Sequence, residues 1–224
     1  MSNSNCQKQI RGFRRSSWRC FDQRLHISYT LAMKFELACQ TNPKWVQGIL
    51  KNFDKFLIDH ADCERKASAM ALNIVVKCPE KTHFIEPLIS LALEELTHFK
   101  QVYQIMQKRG LSLNHQMSED HYVNQLLDLC RHGKEDRLLD RMIVLSLVEA
   151  RGAERFGIVA DALSDSTLKK FYRKLHLAEK KHGAIFVRLA SKYYPKDTIQ
   201  NRLRKLISEE ARIVDSLPWR ASIH

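Results

Sequence analysis

Four helical stretches of this chain each set a glutamate inside an apolar stripe, and an ionised carboxylate buried without a partner costs many kcal/mol. In LALEELTHFK, residues 91–100, Glu95 and His98 stand three positions apart and point to the same side of a helix. Leu88, Leu91, Val102, Ile105 and Met106 fall within about 80° of Glu95 by helical phase. HLAEKKHGAIFVRLA repeats the spacing with Glu179 and His182, on a face with Phe171, Leu175, Phe186 and Leu189. Glu64 shares its face with Phe53, Leu57, Ala71 and Val75, and Glu149 with Met142, Leu145, Phe156 and Ala160. A fold that buries all four stripes must also compensate four acids.

The order of these residues narrows the compensation. Glu64 precedes Glu95 by 31 residues and Glu149 precedes Glu179 by 30, so the chain reads as two similar halves. Three positions after its glutamate, the first helix of each half has a small residue, Ala67 or Gly152, where the second has histidine. A Glu from each of two helices plus Glu-x-x-His from each of two others is the ligand pattern of ferritin-like di-iron and di-manganese bundles. Four carboxylates balance two divalent cations, and neutral imidazoles add donors without charge. Hard carboxylates with two imidazoles and no thiolate suit iron or manganese better than structural zinc. One Glu-x-x-His is a weak signal, and buried acids satisfied by Arg or water are the plain alternative. Two copies with correctly ordered partners are far more specific.

The rest of the sequence fits such a bundle. Seven Gly and five Pro in 224 residues leave few helix breakers, and the expected class is all-α. Helices are predicted near 44–77, 84–109, 119–132, 136–162, 166–193 and 196–215, four of them long, giving a four-helix bundle with additional shorter helices. No apolar run is long enough for a bilayer span. Six cysteines without Cys-x-x-Cys pairing point to a reducing cytoplasm. Residues 1–32 carry six basic residues, one acid and scattered serines without a helical apolar stripe, and are expected outside the core. They read as an upstream start, a transit-like segment or a basic RNA-binding arm, with residues 33–224 as the functional domain.

Net charge is +12, and residues 166–205 hold twelve Lys or Arg against two acids, which points to an anionic partner. Lys170, Lys174, Lys181, Arg188 and Lys192 fall within about 40° of one another, roughly opposite Glu179, as a candidate nucleic-acid stripe or simply a solvated face. His60, one turn before Glu64, can hydrogen-bond that carboxylate or pack as a core histidine. His176, one turn before Glu179, is a weaker candidate. Glu94 and Glu154 point away from the apolar stripes and are expected to be solvated or paired with basic residues.

The combination DHADCERKASAMAL, LEELTHF, VEARGAERF and LAEKKHG resembles the tRNA 2-methylthio-N6-isopentenyladenosine hydroxylase family over roughly residues 33–215. The resemblance implies a ferritin-like non-haem di-iron monooxygenase that hydroxylates the isopentenyl group of a hypermodified adenosine beside the tRNA anticodon. Its ligands, carried over by motif, are Glu64, Glu95, His98, Glu149, Glu179 and His182. It further implies two iron ions, O2 as co-substrate, tRNA as partner and a separate electron donor, with no membrane. Two other classes stand beside it, an iron-oxidising or peroxide-reducing ferritin or rubrerythrin relative and a non-catalytic helical RNA-binding protein. The absence of a Cys-x-x-Cys iron domain weighs against the rubrerythrin reading, the local basic excess against iron storage, and six convergent ligand residues against a pure binder.

Overall fold

The computed structural model describes residues 35–224. The expectations for residues 1–32 therefore lie outside the described residues. Seven helices follow in order: α1 Lys44–Lys51, α2 Phe53–Lys77, α3 Thr82–Lys108, α4 His121–Asp128, α5 Lys134–Ala162, α6 Ser166–Ala190 and α7 Lys196–Ser216. Among the described residues there is no strand. The all-α expectation holds, and α2, α3, α5 and α6 are the long members of the bundle.

The expected helix 44–77 is interrupted at Asn52, which leaves helical geometry with φ −127° and ψ 36° and donates its N–H back to Gly48 and Ile49. The break turns α1 so that Trp45 and Ile49 are buried and the Trp219 ring lies over Gly48. A Cβ on Gly48 would stand 2.3 Å from that ring. No proline or glycine marks the break itself, which is why periodicity runs through it. Elsewhere the expected turns have physical stops, with Asp120 capping Val123 and Asp165 capping Thr167 and Leu168.

Helices α2 and α3 form one antiparallel hairpin and α5 and α6 a second, while α4 and α7 pack together against α5. The apolar core is divided in two. One cluster gathers Ile74, Phe84, Leu88, Leu91, Met142, Leu145 and Phe186, and the other gathers Phe56, Leu57, Val102, Met106, Phe156, Tyr172 and Leu175. Along every long helix the inward glutamate falls between residues of the first cluster and residues of the second. The acids thus form a polar layer across the bundle.

A second polar assembly holds the outer helices. Arg151 of α5, fully buried, donates to Glu210 of α7 from Nε at 2.8 Å and from Nη2 at 3.0 Å, and Tyr122 of α4 donates to the same Glu210 at 2.9 Å. Its Nη1 reaches Glu154, which also accepts from the Thr41 N–H and hydroxyl. Glu154 is thus paired with a basic residue, as its helical phase indicates.

Candidate metal centre

The helix stripes bring Glu95, His98, Glu179 and His182 together, with ligand atoms all within 4.8 Å of one another. His98 Nδ1 lies 3.6 Å from Glu64, 3.3 Å from Glu95 and 3.4 Å from Glu179. His182 Nδ1 lies 2.7 Å from Glu95 and 2.9 Å from Glu179. Glu149 enters from α5 and lines the same cavity as Glu64, Glu95 and Glu179. Gly183 permits this approach, because a Cβ there would stand 3.2 Å from the Ser146 carbonyl oxygen and 3.6 Å from Glu149 Cβ. All six candidate ligands converge on one layer.

The electrostatics describe a site rich in acid. Burial pushes the Glu149 and Glu64 carboxyls up, and burial with the neighbouring Glu179 pushes Glu95 up to about 7. Burial alone would depress the two histidines, but hydrogen bonds to the glutamates overcome it and raise His98 to about 12 and His182 to about 11. Glu179 is held low despite burial by the hydrogen bond from His182 and by His98 close beside it. The imidazoles attract protons because the layer calls for positive charge.

Two observations fit a metal to this layer. Glu95 Oε1 and Glu179 Oε1 are buried without a hydrogen-bond partner, although imidazole nitrogens stand 2.7 and 3.4 Å away, so these contacts lack hydrogen-bond alignment. Two buried carboxylate oxygens are therefore left unpaired at a common centre. The donor set of four carboxylates and two imidazoles suits two hard or borderline divalent cations.

Outside this ring, His60 is fully buried and its Nε2 lies 2.7 Å from Glu64, with Nδ1 3.2 Å from the Tyr172 hydroxyl. Burial and the charge on His98 lower His60 to about 3, so it stays neutral and orients Glu64. His176 instead pairs with the Ala153 carbonyl at 2.6 Å. Glu94 extends across to His182, its Oε2 2.9 Å from Nε2 while the side chain remains 63% exposed. Helical phase missed this contact because the neighbouring helix α6 supplies the partner.

A cavity of about 750 Å³ opens onto the acid layer from the α2–α5 side. Glu64, Glu95, Glu149 and Glu179 line its inner end, Ala67, Met70, Val148, Gly152 and Phe156 give apolar wall, and Asp120, Asn124 and His224 close another side. Arg65, Lys66, Lys77 and Arg141 also line it. The five stripe residues are exposed, Lys170, Lys174, Lys181 and Arg188 on α6 and Lys192 in the turn after it, and none of them lines this cavity. The four cavity cations escaped sequence reasoning because they are scattered over two helices and form no run.

The family model described as tRNA-(MS[2]IO[6]A)-hydroxylase (MiaE) matches residues 28–224. The chain belongs to the MiaE family. A relative named tRNA 2-(methylsulfanyl)-N(6)-isopentenyladenosine(37) hydroxylase from Pseudomonas putida is 32% identical over 180 residues, covering 80% of this chain and 87% of the relative. Its namesake from Salmonella typhimurium is 31% identical over 136 residues, 61% of this chain and 49% of the relative. A solved structure, protein 43 with aldehyde deformylating oxygenase activity from Synechococcus, is 31% identical with a TM-score of 0.80, covering 85% of this chain and 96% of that one. The MiaE-family bundle here is ferritin-like, as the ligand order implies.

Proposed function

We propose that this chain is a tRNA hydroxylase that adds a hydroxyl to the isopentenyl group of 2-methylthio-N6-isopentenyladenosine, using two iron ions and O2. The observation that carries the reading is the cavity whose inner end is formed by the four converging glutamates, in a member of the MiaE family. Iron bound to Glu64, Glu95, His98, Glu149, Glu179 and His182 would supply oxygen activation, the chemistry needed at an allylic C–H bond that no side-chain base deprotonates. His60 and Glu94 then hold Glu64 and His182 in orientation. Met70, Val148 and Phe156 receive the prenyl chain and exclude water from its reacting end.

Each turnover consumes two electrons beyond those taken from the substrate. The cysteines at 39, 63, 78 and 130 are all free, and a separate reductant supplies the electrons. No helix among the described residues is long and apolar enough to cross a membrane. We assign the enzyme to the cytoplasm, where its tRNA substrate resides. The stripe from Lys170 to Lys192 grips tRNA backbone outside the cavity, while Arg65, Lys66, Lys77 and Arg141 draw the anticodon loop toward it.

The Synechococcus structure favours a second reading, an aldehyde in the same apolar cavity. Cations beside the cavity favour the polyanion. The deciding experiment is nucleoside mass analysis of tRNA from cells lacking and expressing this chain, with metal analysis of the purified protein. Hydroxylated nucleoside only in expressing cells supports the tRNA reading. Unchanged nucleosides, with formate released from added aldehyde, would overturn it in favour of the second.

A further inference from the structure

The wall of the cavity opposite the acids carries an unused polar atom. His224 has a side chain only 7% exposed, and its Nε2 is buried with no hydrogen-bond partner among the described residues. The ring is fixed on every other side. It stacks on Tyr122 with centroids 5.0 Å apart and planes 11° apart, and Nδ1 lies 3.2 Å from Asp120 Oδ2. The backbone before it is pinned as well, with the Ile223 N–H donating to Asp59 at 2.8 Å and the Ile223 carbonyl accepting from Arg155. The Nε2 faces α5 at Gly152, where a Cβ would stand 4.0 Å away, and both residues line the cavity with the four glutamates.

A buried ring held this firmly, with one nitrogen left unpaired, is a binding group awaiting its partner. Asp120 accepts from Nδ1, which fixes the tautomer and leaves Nε2 as an acceptor. The complementary ligand atom is therefore an N–H donor. Cys63 and Asp120 also stand within 4.8 Å of His224 as potential metal ligands, but burial pushes the Cys63 thiol up and so keeps it protonated.

We propose that His224 is a positioning residue that accepts a hydrogen bond from the single N6–H of the N6-substituted adenine, and that Asp120 sets its polarity. This rests on the tRNA reading above. Adenine N6 carries one hydrogen and the prenyl group, so anchoring that hydrogen on His224 leaves the prenyl chain free to run along the apolar wall toward the glutamates. The same contact rejects a base whose N6 has no hydrogen, because Nε2 would stay buried and unpaired.

The test uses the full metal-loaded chain and two anticodon stem-loop RNAs. One carries 2-methylthio-N6-isopentenyladenosine, and the other the same base with an added N6-methyl group. Wild type should bind the first about tenfold more tightly, the worth of one buried neutral acceptor. His224→Phe keeps the stack on Tyr122 and should erase the preference while metal content stays at the wild-type level. Asp120→Asn provides a second variant that keeps the cap on α4, because Asp120 Oδ1 holds the Val123 N–H and Oδ2 faces His224. Its amide N–H₂ would donate to Nδ1, move the ring proton to Nε2 and abolish the preference with the ring intact. A wild-type enzyme that hydroxylates tRNA but binds both RNAs equally overturns the His224 assignment alone, as does a preference that survives both variants. A third metal ion per chain, lost in His224→Phe, would also overturn it. Absence of tRNA hydroxylation in the wild type removes the functional reading and this contact together.

Discussion

Replacing Glu210 with alanine should destabilise the protein far more than an ordinary helix-surface change, because it strands a guanidinium in the core. Glu210 and Arg151 are both fully buried, and the carboxylate accepts from Arg151 Nε, Arg151 Nη2 and the Tyr122 hydroxyl. Its removal leaves Arg151 Nε and the Tyr122 hydroxyl without acceptors and Nη2 with Cys39 alone, while Glu154 and Thr41 still hold Nη1. Breaking one side of a buried ion pair costs about 3–5 kcal/mol. For a domain of this size each kcal/mol moves the melting temperature by about 2–4 °C, so a fall of about 10 °C is expected. Calorimetry of metal-loaded wild type, Glu210→Ala and the double variant Arg151→Leu/Glu210→Leu measures it. The double variant should recover much of the loss, since it buries no unpaired charge. A fall under about 3 °C for Glu210→Ala, against this expected cost, would refute the claim that the network clamps α7 and α4 to α5.

Three further outcomes follow from the geometry. Glu94→Ala should weaken metal affinity about 10–100-fold with little change in melting temperature, because it releases His182 Nε2 from an exposed side chain, and competition with a chelator reads it directly. Charge reversal at Lys66, Lys77 and Arg141 should weaken tRNA binding and flatten its salt dependence more than reversal at Lys170, Lys174 and Lys181, with metal content unchanged in both; the opposite ranking in a salt titration would return the anticodon arm to α6. Burial alone would raise the Asp140 carboxyl, but hydrogen bonds from Arg131 and Arg202 hold it below its ordinary 3.8. Its stabilisation is therefore complete above that value and lost as pH falls through the lower folded value, so the melting-temperature gap between wild type and Asp140→Asn should narrow on acidification below about pH 4.

The four long helices and the acid layer were legible because each depends on a local repeat. Glu64, Glu95, Glu149 and Glu179 announce themselves by breaking an apolar period that their own helices define. The break at Asn52 was hidden, since the partner that packs on α1 is Trp219, far along the chain. Glu94 and His224 were hidden for the same reason. The first is solvated by its own helical phase and acquires His182 from another helix, and the second lies beyond the last helix, where no period exists. The cations around the cavity form no run in sequence and meet only when α2 and α5 face each other across it.

The divided core also bears on the order in which the molecule assembles. Glu64, Glu95 and His98 span 35 residues within the α2–α3 hairpin, and Glu149, Glu179 and His182 span 34 within the α5–α6 hairpin. Each hairpin closes through contacts near in sequence, which form early, whereas joining the two requires the slower closure of a long loop. A cation can thus meet half of its donors on one hairpin before the other has docked. Docking without it must bring four carboxylates together against their own repulsion. Refolding in the presence of iron should therefore accelerate the late step alone, with the cation acting as the template on which the second hairpin finds its register.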